Sequence, residues 1–397
     1  MLYNSRVKSV ALVGAIGASL LAASPAALAQ TFNVANLVSD GSIKAANTDP
    51  NLINPWGIAA SPTGPLWVSD NNSGFTTVYN GAGSTLLTVS TPAAPGEGGV
   101  GATTGQVFNG SSSAFKVSSG GKTGSAVFLF ATEDGTIEGW APSVSFPSAV
   151  IAVNNYGGGA GAVYKGLAIG STGGSEYLYA ANFRSGEIEM YDSSFGLVKS
   201  FTDPHLASGY APFNVQDLGG TLYVTYALQD ASKHDNLDGA GDGYVDAFSL
   251  DGTFERRIVS KGGQVDAPWG LDIAPAGFRG LAGDLLVGNF GDGTISAFDP
   301  TTGAFEGQLK SANGATIIES GLWGLINGNG GSGGAAGSVY FTAGGADENH
   351  GLLGSISAVP EPGAWALMII GLGLVGSRLR GRRRAVSDRT AAAGATA

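Results

Sequence analysis

One unit recurs six times along this chain, and the recurrence limits the fold more than any other feature of the sequence. In its clearest copy Pro268-Trp269-Gly270-Leu271 opens a short apolar run. Leu285-Leu286-Val287-Gly288-Asn289 forms a second, and Gly293-Thr294-Ile295-Ser296-Ala297-Phe298 a third. The first copy reads Pro55-Trp56-Gly57-Ile58, Leu66-Trp67-Val68-Ser69-Asp70, Thr77-Val78-Tyr79; the sixth begins Leu322-Trp323-Gly324-Leu325. The third opens on Lys165-Gly166-Leu167 and the fourth on Phe213-Asn214-Val215, while the second shows two runs, 127–130 and 135–140. The aromatic closing each third run sets the period: Tyr79, Trp140, Tyr191, Phe248 and Phe298 lie 61, 51, 57 and 50 residues apart. Apolar and polar residues alternate within the runs, as half-buried antiparallel strands require. A fourth run follows each aromatic, at 86–89, 149–153, 197–201, 254–259 and 305–309.

Four strands in each 50–60 residues, six times over, predict an all-β chain folded as a six-bladed β-propeller over residues 30–359. Such a wheel closes by pairing its two ends, and 32–37 is predicted to complete the last blade beside 354–359. Two β-sandwiches would not carry one repeat through the whole body. The 66 glycines lack a three-residue period, so they mark turns between short strands rather than a collagen-like helix.

Both ends stand apart from the repeat. Residues 1–29 read as a secretory signal peptide: Arg6 and Lys8, then an apolar stretch over 10–23, then the small-x-small cleavage pattern of Ala27 and Ala29. At the other end Pro360-Glu361-Pro362 precedes a short apolar run, 363–377, and a cluster including Arg378, Arg380, Arg382, Arg383 and Arg384. That order predicts a short membrane-entering helix with its arginines held on the cytoplasmic side. The run is shorter than the roughly 20 residues of a stable span and holds four glycines, which suits a temporary span. Cutting after Ala29 and after Pro362 takes away eight basic residues and one acidic, leaving 12 against 30, a formal charge of −18. Nucleic acid is excluded as an electrostatic partner. The absence of cysteine excludes thiol catalysis, disulfides and thiolate metal sites.

The C-terminal residues 360–384 resemble a PEP-CTERM sorting tag. The resemblance implies an exosortase as partner, transient anchoring in the inner membrane, and delivery to the cell surface or extracellular polysaccharide matrix of a Gram-negative bacterium. Past the arginines the small, polar residues 385–397 are expected to form a disordered tail. The Trp-Gly-Leu elements resemble those of NHL and SMP-30-like propellers. The body is similar to an uncharacterised family of exported bacterial six-bladed propellers bearing the same tag, a resemblance that implies no particular activity. The first blade lacks an acidic residue matching the metal ligand of the SMP-30 enzymes.

Two places could hold a cation. Residues following the second strand of each blade are expected near one mouth of the channel: Asp70, Asn71, Glu133, Asp134, Asn182, Tyr226 and Asn289. Such oxygen donors suit Ca²⁺ or Mg²⁺, and equally suit hydrogen bonds to their own turns. The long insert at 230–243 brings Asp235, Asp238 and Asp242 together with glycines, a loop that would take Ca²⁺ or stand as a solvated acidic turn. His205, His234 and His350 lie in different blades and form no catalytic triad. Trp56, Trp269 and Trp323 recur at one repeat position and read as packing rather than sugar-stacking residues. The expected function is an exported binding or structural propeller, with polysaccharide or surface proteins as partners. The alternative is a metal-dependent, lactonase-like hydrolase with its site in the central channel. An ion-holding channel supports the alternative, and a channel plugged by apolar side chains removes it.

Overall fold

The computed structural model describes residues 30–360. The signal peptide with Ala27 and Ala29, and everything from Glu361 onward, including the apolar run and the arginines, lie outside the described residues. Among the described residues no helix is long and apolar enough to cross a membrane.

Six antiparallel sheets form six blades. Blade I is Pro55–Ala60, Leu66–Asp70, Phe75–Tyr79 and Thr85–Ser90; blade III is Tyr164–Thr172, Ser175–Asn182, Glu187–Asp192 and Leu197–Phe201. Blade IV uses Tyr210–Asp217, Thr221–Gln229, Tyr244–Ser249 and Phe254–Val259, and blade V Pro268–Ile273, Leu285–Asn289, Ile295–Phe298 and Phe305–Gln308. These follow the predicted runs closely. Blade II has an innermost strand, Thr103–Phe108, that the apolar pattern alone did not reveal, ahead of Phe128–Thr132, Thr136–Trp140 and Val150–Asn154. Its composition, Thr-Thr-Gly-Gln-Val-Phe, hides it among polar loops. A small hairpin, Lys116–Ser119 with Lys122–Ser125, is inserted behind it.

Blade VI closes the wheel as expected. Leu322–Asn327, Ser338–Ala343 and Leu352–Ala358 are joined by the N-terminal strand Phe32–Ser39, which runs antiparallel to Leu352–Ala358 from Phe32↔Ala358 to Ser39↔Leu352. All six blades are complete between residues 32 and 358, so the wheel is self-contained. The Val359 N–H donates to the Thr31 carbonyl, so both chain ends leave from one point on the rim.

A shared device shapes the axis. In every blade the pairing of the innermost strand with its neighbour slips by a residue or more near the strand's start. Such a bulge re-aims the side chain at the irregularity. In five blades it carries a glycine that lies against the backbone of the next blade. A Cβ on Gly57 would meet the Thr104 carbonyl oxygen at 2.4 Å, and one on Gly324 would meet the Trp56 carbonyl oxygen at 2.7 Å. Gly105, Gly166 and Gly270 make the same close approach to blades III, IV and VI. Blade IV has Asn214 there instead, whose Nδ2 donates to the Trp269 carbonyl at 2.7 Å. The Trp-Gly dipeptides are thus the sequence signature of a bulge at the axis.

Closure makes Phe32 a sensitive position. It is buried and packs on Phe278 at 4.5 Å between ring centres. Phe32→Ala is expected to cost about 3–5 kcal/mol in urea unfolding, whereas Leu86→Ala, on an exposed outer strand, should stay within about 0.5 kcal/mol. A loss below about 1 kcal/mol for Phe32→Ala would mean that this strand does not close the wheel.

Candidate functional site at the channel mouth

The residues at the register slips, each just before the glycine or Asn214, are Trp56, Thr104, Lys165, Phe213, Trp269 and Trp323, one from each blade, and all six are buried. Trp56 and Trp323 stack with ring centres 3.6 Å apart; Trp269 meets both edge-on, at 6.2 and 5.9 Å, and Phe213 packs on Trp56 and Trp323. Together they fill the axis and divide the channel. On one side lies a largely apolar chamber of about 340 Å³ among the innermost strands, bounded by residues such as Ile58, Leu167, Ile169 and Leu325. On the other lies a polar chamber of about 370 Å³, lined by Asn54, Asn71, Glu133, Asp235, Asp238 and Glu348 over Trp56, Trp323 and Phe290.

Lys165 is the one charged member of the ring. Its side chain is 1% exposed. A buried ammonium must be paired to remain charged. Nζ donates to Glu133 Oε1 and lies 3.3 Å from Asp235 Oδ1. It also sits 4.8 Å from the centre of the Trp56 ring and 5.8 Å from that of Phe183, within cation–π range. The acidic partners are held in turn. Asn71 Nδ2 donates to Glu133 Oε2 at 2.9 Å. Asn54 Nδ2 donates to Glu348 Oε2 at 2.9 Å, while Trp323 Nε1–H donates to Asn54 Oδ1 at 3.0 Å. Asn54 adopts φ 47°, a left-handed conformation that Asn tolerates better than most residues. Thus the aromatic ring also positions the amide that orients Glu348.

The insert at 230–243 folds over this mouth. His234 Nδ1 lies 2.9 Å from Asp235 Oδ1, and that bond, followed by the Lys165 charge, holds the Asp235 carboxyl below its ordinary range. The same bond raises His234. Burial raises Glu348, and the nearby Glu133 and Asp235 carboxylates add to that rise.

The structure sorts the sequence candidates. Asn71, Glu133, Asp235 and Asp238 reach the chamber. Asp242 accepts from the Tyr210 hydroxyl at 2.7 Å and pairs with Lys261 at 3.2 Å, away from Asp235. Asn182 donates to Glu189 Oε1 at 2.7 Å, on the third strand of its blade, and Asn289 to Thr294 Oγ1 at 3.0 Å, just before the third strand of its own. Asp70 is fully buried on its strand, and desolvation pushes its carboxyl well above the ordinary value. Asp134 Oδ2 accepts from the Ala102 N–H, and Tyr226 is buried. One carboxylate oxygen each from Glu133 and Asp235, with a ring nitrogen of His234, lie within 4.8 Å of one another, a spacing that could hold a metal ion. The Lys165 ammonium already bridges the two carboxylates, so an ion there would have to displace it. Lys165, Asn54 and Glu348 are the site residues that motif reading passed over.

The PEP-CTERM protein-sorting motif matches residues 358–384. Uncharacterized protein R648 of Acanthamoeba polyphaga mimivirus is 34% identical over 82% of this chain and 80% of its own length, and uncharacterized protein L690 of the same virus is 32% identical over 82% and 86%. The crystal structure of a protein of unknown function from Bacteroides thetaiotaomicron aligns with a TM-score of 0.51 at 12% identity, covering 83% of this chain and 76% of that one. This last likeness is one of fold.

The Lys165 pairing gives a direct test. Lys165→Met leaves a nearly buried Glu133 carboxylate without its cation, and is expected to cost about 3–5 kcal/mol. Adding Glu133→Gln should restore much of that loss in a double-mutant cycle. Purely additive losses would mean that the pair is not coupled.

Proposed function

The chain belongs to the family of the mimivirus proteins R648 and L690, and we propose that it is an exported binding protein whose ligand enters the polar chamber. The sorting motif marks it as an exosortase-sorted, exported propeller. The finer reading is that it works at the cell surface or in the extracellular matrix, with polysaccharide or surface proteins as partners. One observation carries the binding role: an aromatic septum fills the axis, and above it opens a chamber walled by oriented amides and carboxylates with aromatic rings at its base. Ligand-binding pockets combine an apolar surface with a few fixed polar groups that orient the ligand.

The hydrolase alternative needs an ion with an open position facing a reactive carbonyl. Here Glu133 and Asp235 at the mouth are both engaged by Lys165, and Asn182 and Asn289 serve their own blades. Binding therefore accounts for the arrangement better than hydrolysis. The test uses the self-contained wheel, residues 30–359. Soluble fragments of extracellular polysaccharide should change its tryptophan fluorescence saturably, with no turnover of lactones or esters in EDTA, Ca²⁺ or Mg²⁺. Metal-dependent turnover that is lost on Glu133→Gln would replace binding by the hydrolase.

A further inference from the structure

We infer that the polar chamber selects a small organic cation, a ligand bearing a primary ammonium group beside hydroxyls. The inference rests on the binding reading above and adds the charge class of the ligand. Four carboxylates line the chamber, Glu133, Asp235, Asp238 and Glu348, against one ammonium, Lys165. That ammonium is already held between Glu133 and Asp235. Glu348 has no ion-pair partner among the described residues; one of its oxygens accepts from Asn54, which fixes its direction. Asp238 accepts from the neighbouring Asn236 amide and likewise has no cation. Carboxylates gathered around a cavity with too few cations favour a ligand that supplies the missing charge.

The aromatic walls point the same way. Lys165 shows that an ammonium over Trp56 and between carboxylates is a stable arrangement in this mouth. Trp323 and Phe290, stacked at 4.1 Å, line the same chamber. Trp56 and Phe290 cover the two faces of Trp323, so of this pair the outer face of Phe290 is the one left for an incoming ammonium. The Trp56 indole also lines the chamber, and its buried N–H has no hydrogen-bond partner. A bare metal ion could not accept from that N–H, whereas a hydroxyl oxygen could. A cavity of about 370 Å³ has room for a ligand of sugar size. Ammonium and hydroxyl on one small frame satisfy both observations.

The experiment is calorimetric titration of residues 30–359 with glucosamine, putrescine, glucose and glucuronate, alongside ¹⁵N-indole spectra. Glucosamine is expected to bind saturably and to move the Trp56 and Trp323 indole signals. Putrescine, a cation without hydroxyls, should bind more weakly than glucosamine. Glucose should be weaker than glucosamine by about ten-fold or more, and glucuronate should give no heat. Glu348→Gln and Asp238→Asn, each checked for an unchanged melting temperature, should weaken glucosamine by about five-fold or more, and by more than they weaken glucose. Equal affinity for glucose or glucuronate would overturn the cation preference while leaving the chamber a binding site. Failure of every probe to move either indole would overturn the cation inference, and a polysaccharide fragment that did move them would show that the binding reading survives it.

Discussion

Everything in this molecule is built around the close approach of six innermost strands at the axis. In five of them a glycine at the bulge permits the approach, because any Cβ would meet the next blade's backbone or the side chain packed on it. The same bulge turns the residue before the glycine inward. Where that residue is aromatic, as in blades I, IV, V and VI, the side chains fill the axis by stacking and edge contacts. Each such pair contributes about 0.5–1.5 kcal/mol beyond the area it buries. In the absence of disulfides, this packing and strand closure at blade VI add to the apolar clusters within and between the blades that hold the wheel together.

The candidate site arises as an exception to that pattern. Blade III places Lys165 where other blades place tryptophan, and blade II places the small Thr104, whose hydroxyl donates to the Tyr164 carbonyl at 2.7 Å. A buried ammonium is costly unless paired. The pairing recruits Glu133 from blade II and Asp235 from the insert of blade IV, and Asn71 and Asn54 of blade I orient the acids around it. One substitution in the ring therefore organises residues from several blades into a polar mouth. The opposite chamber, lined by the inner strands themselves, gains no such set of charges.

Much of the fold was legible in the sequence because each blade repeats the same physical problem. The periodic aromatics, the Trp-Gly dipeptides and the strand at 32–37 gave the wheel and its closure. The innermost strand of blade II was not legible: its Thr-Thr-Gly-Gln start lacks the apolar alternation that reveals its counterparts. The site was half legible. Glu133, Asn71, Asp235 and Asp238 follow from position after a second strand or within the long insert. Asn182 and Asn289 occupy positions like that of Asp70 yet turn to partners five to seven residues on, a distinction of side-chain direction that period alone does not carry. Lys165 was in plain view in Lys165-Gly166-Leu167, aligned with Trp269-Gly270-Leu271. What the alignment did not state was that the position before the glycine faces the axis, so that a charge there must gather partners.

Indole N–H exchange tests the aromatic septum most directly. In ¹⁵N-tryptophan-labelled protein the account requires the Nε1–H groups of Trp323, bonded to Asn54, and Trp269, bonded to the Lys165 carbonyl, to exchange only with global unfolding. Their protection should match that of the innermost-strand amides. Fast exchange of both, with those amides still protected, would mean a water-filled channel with no septum, and the polar chamber would go with it.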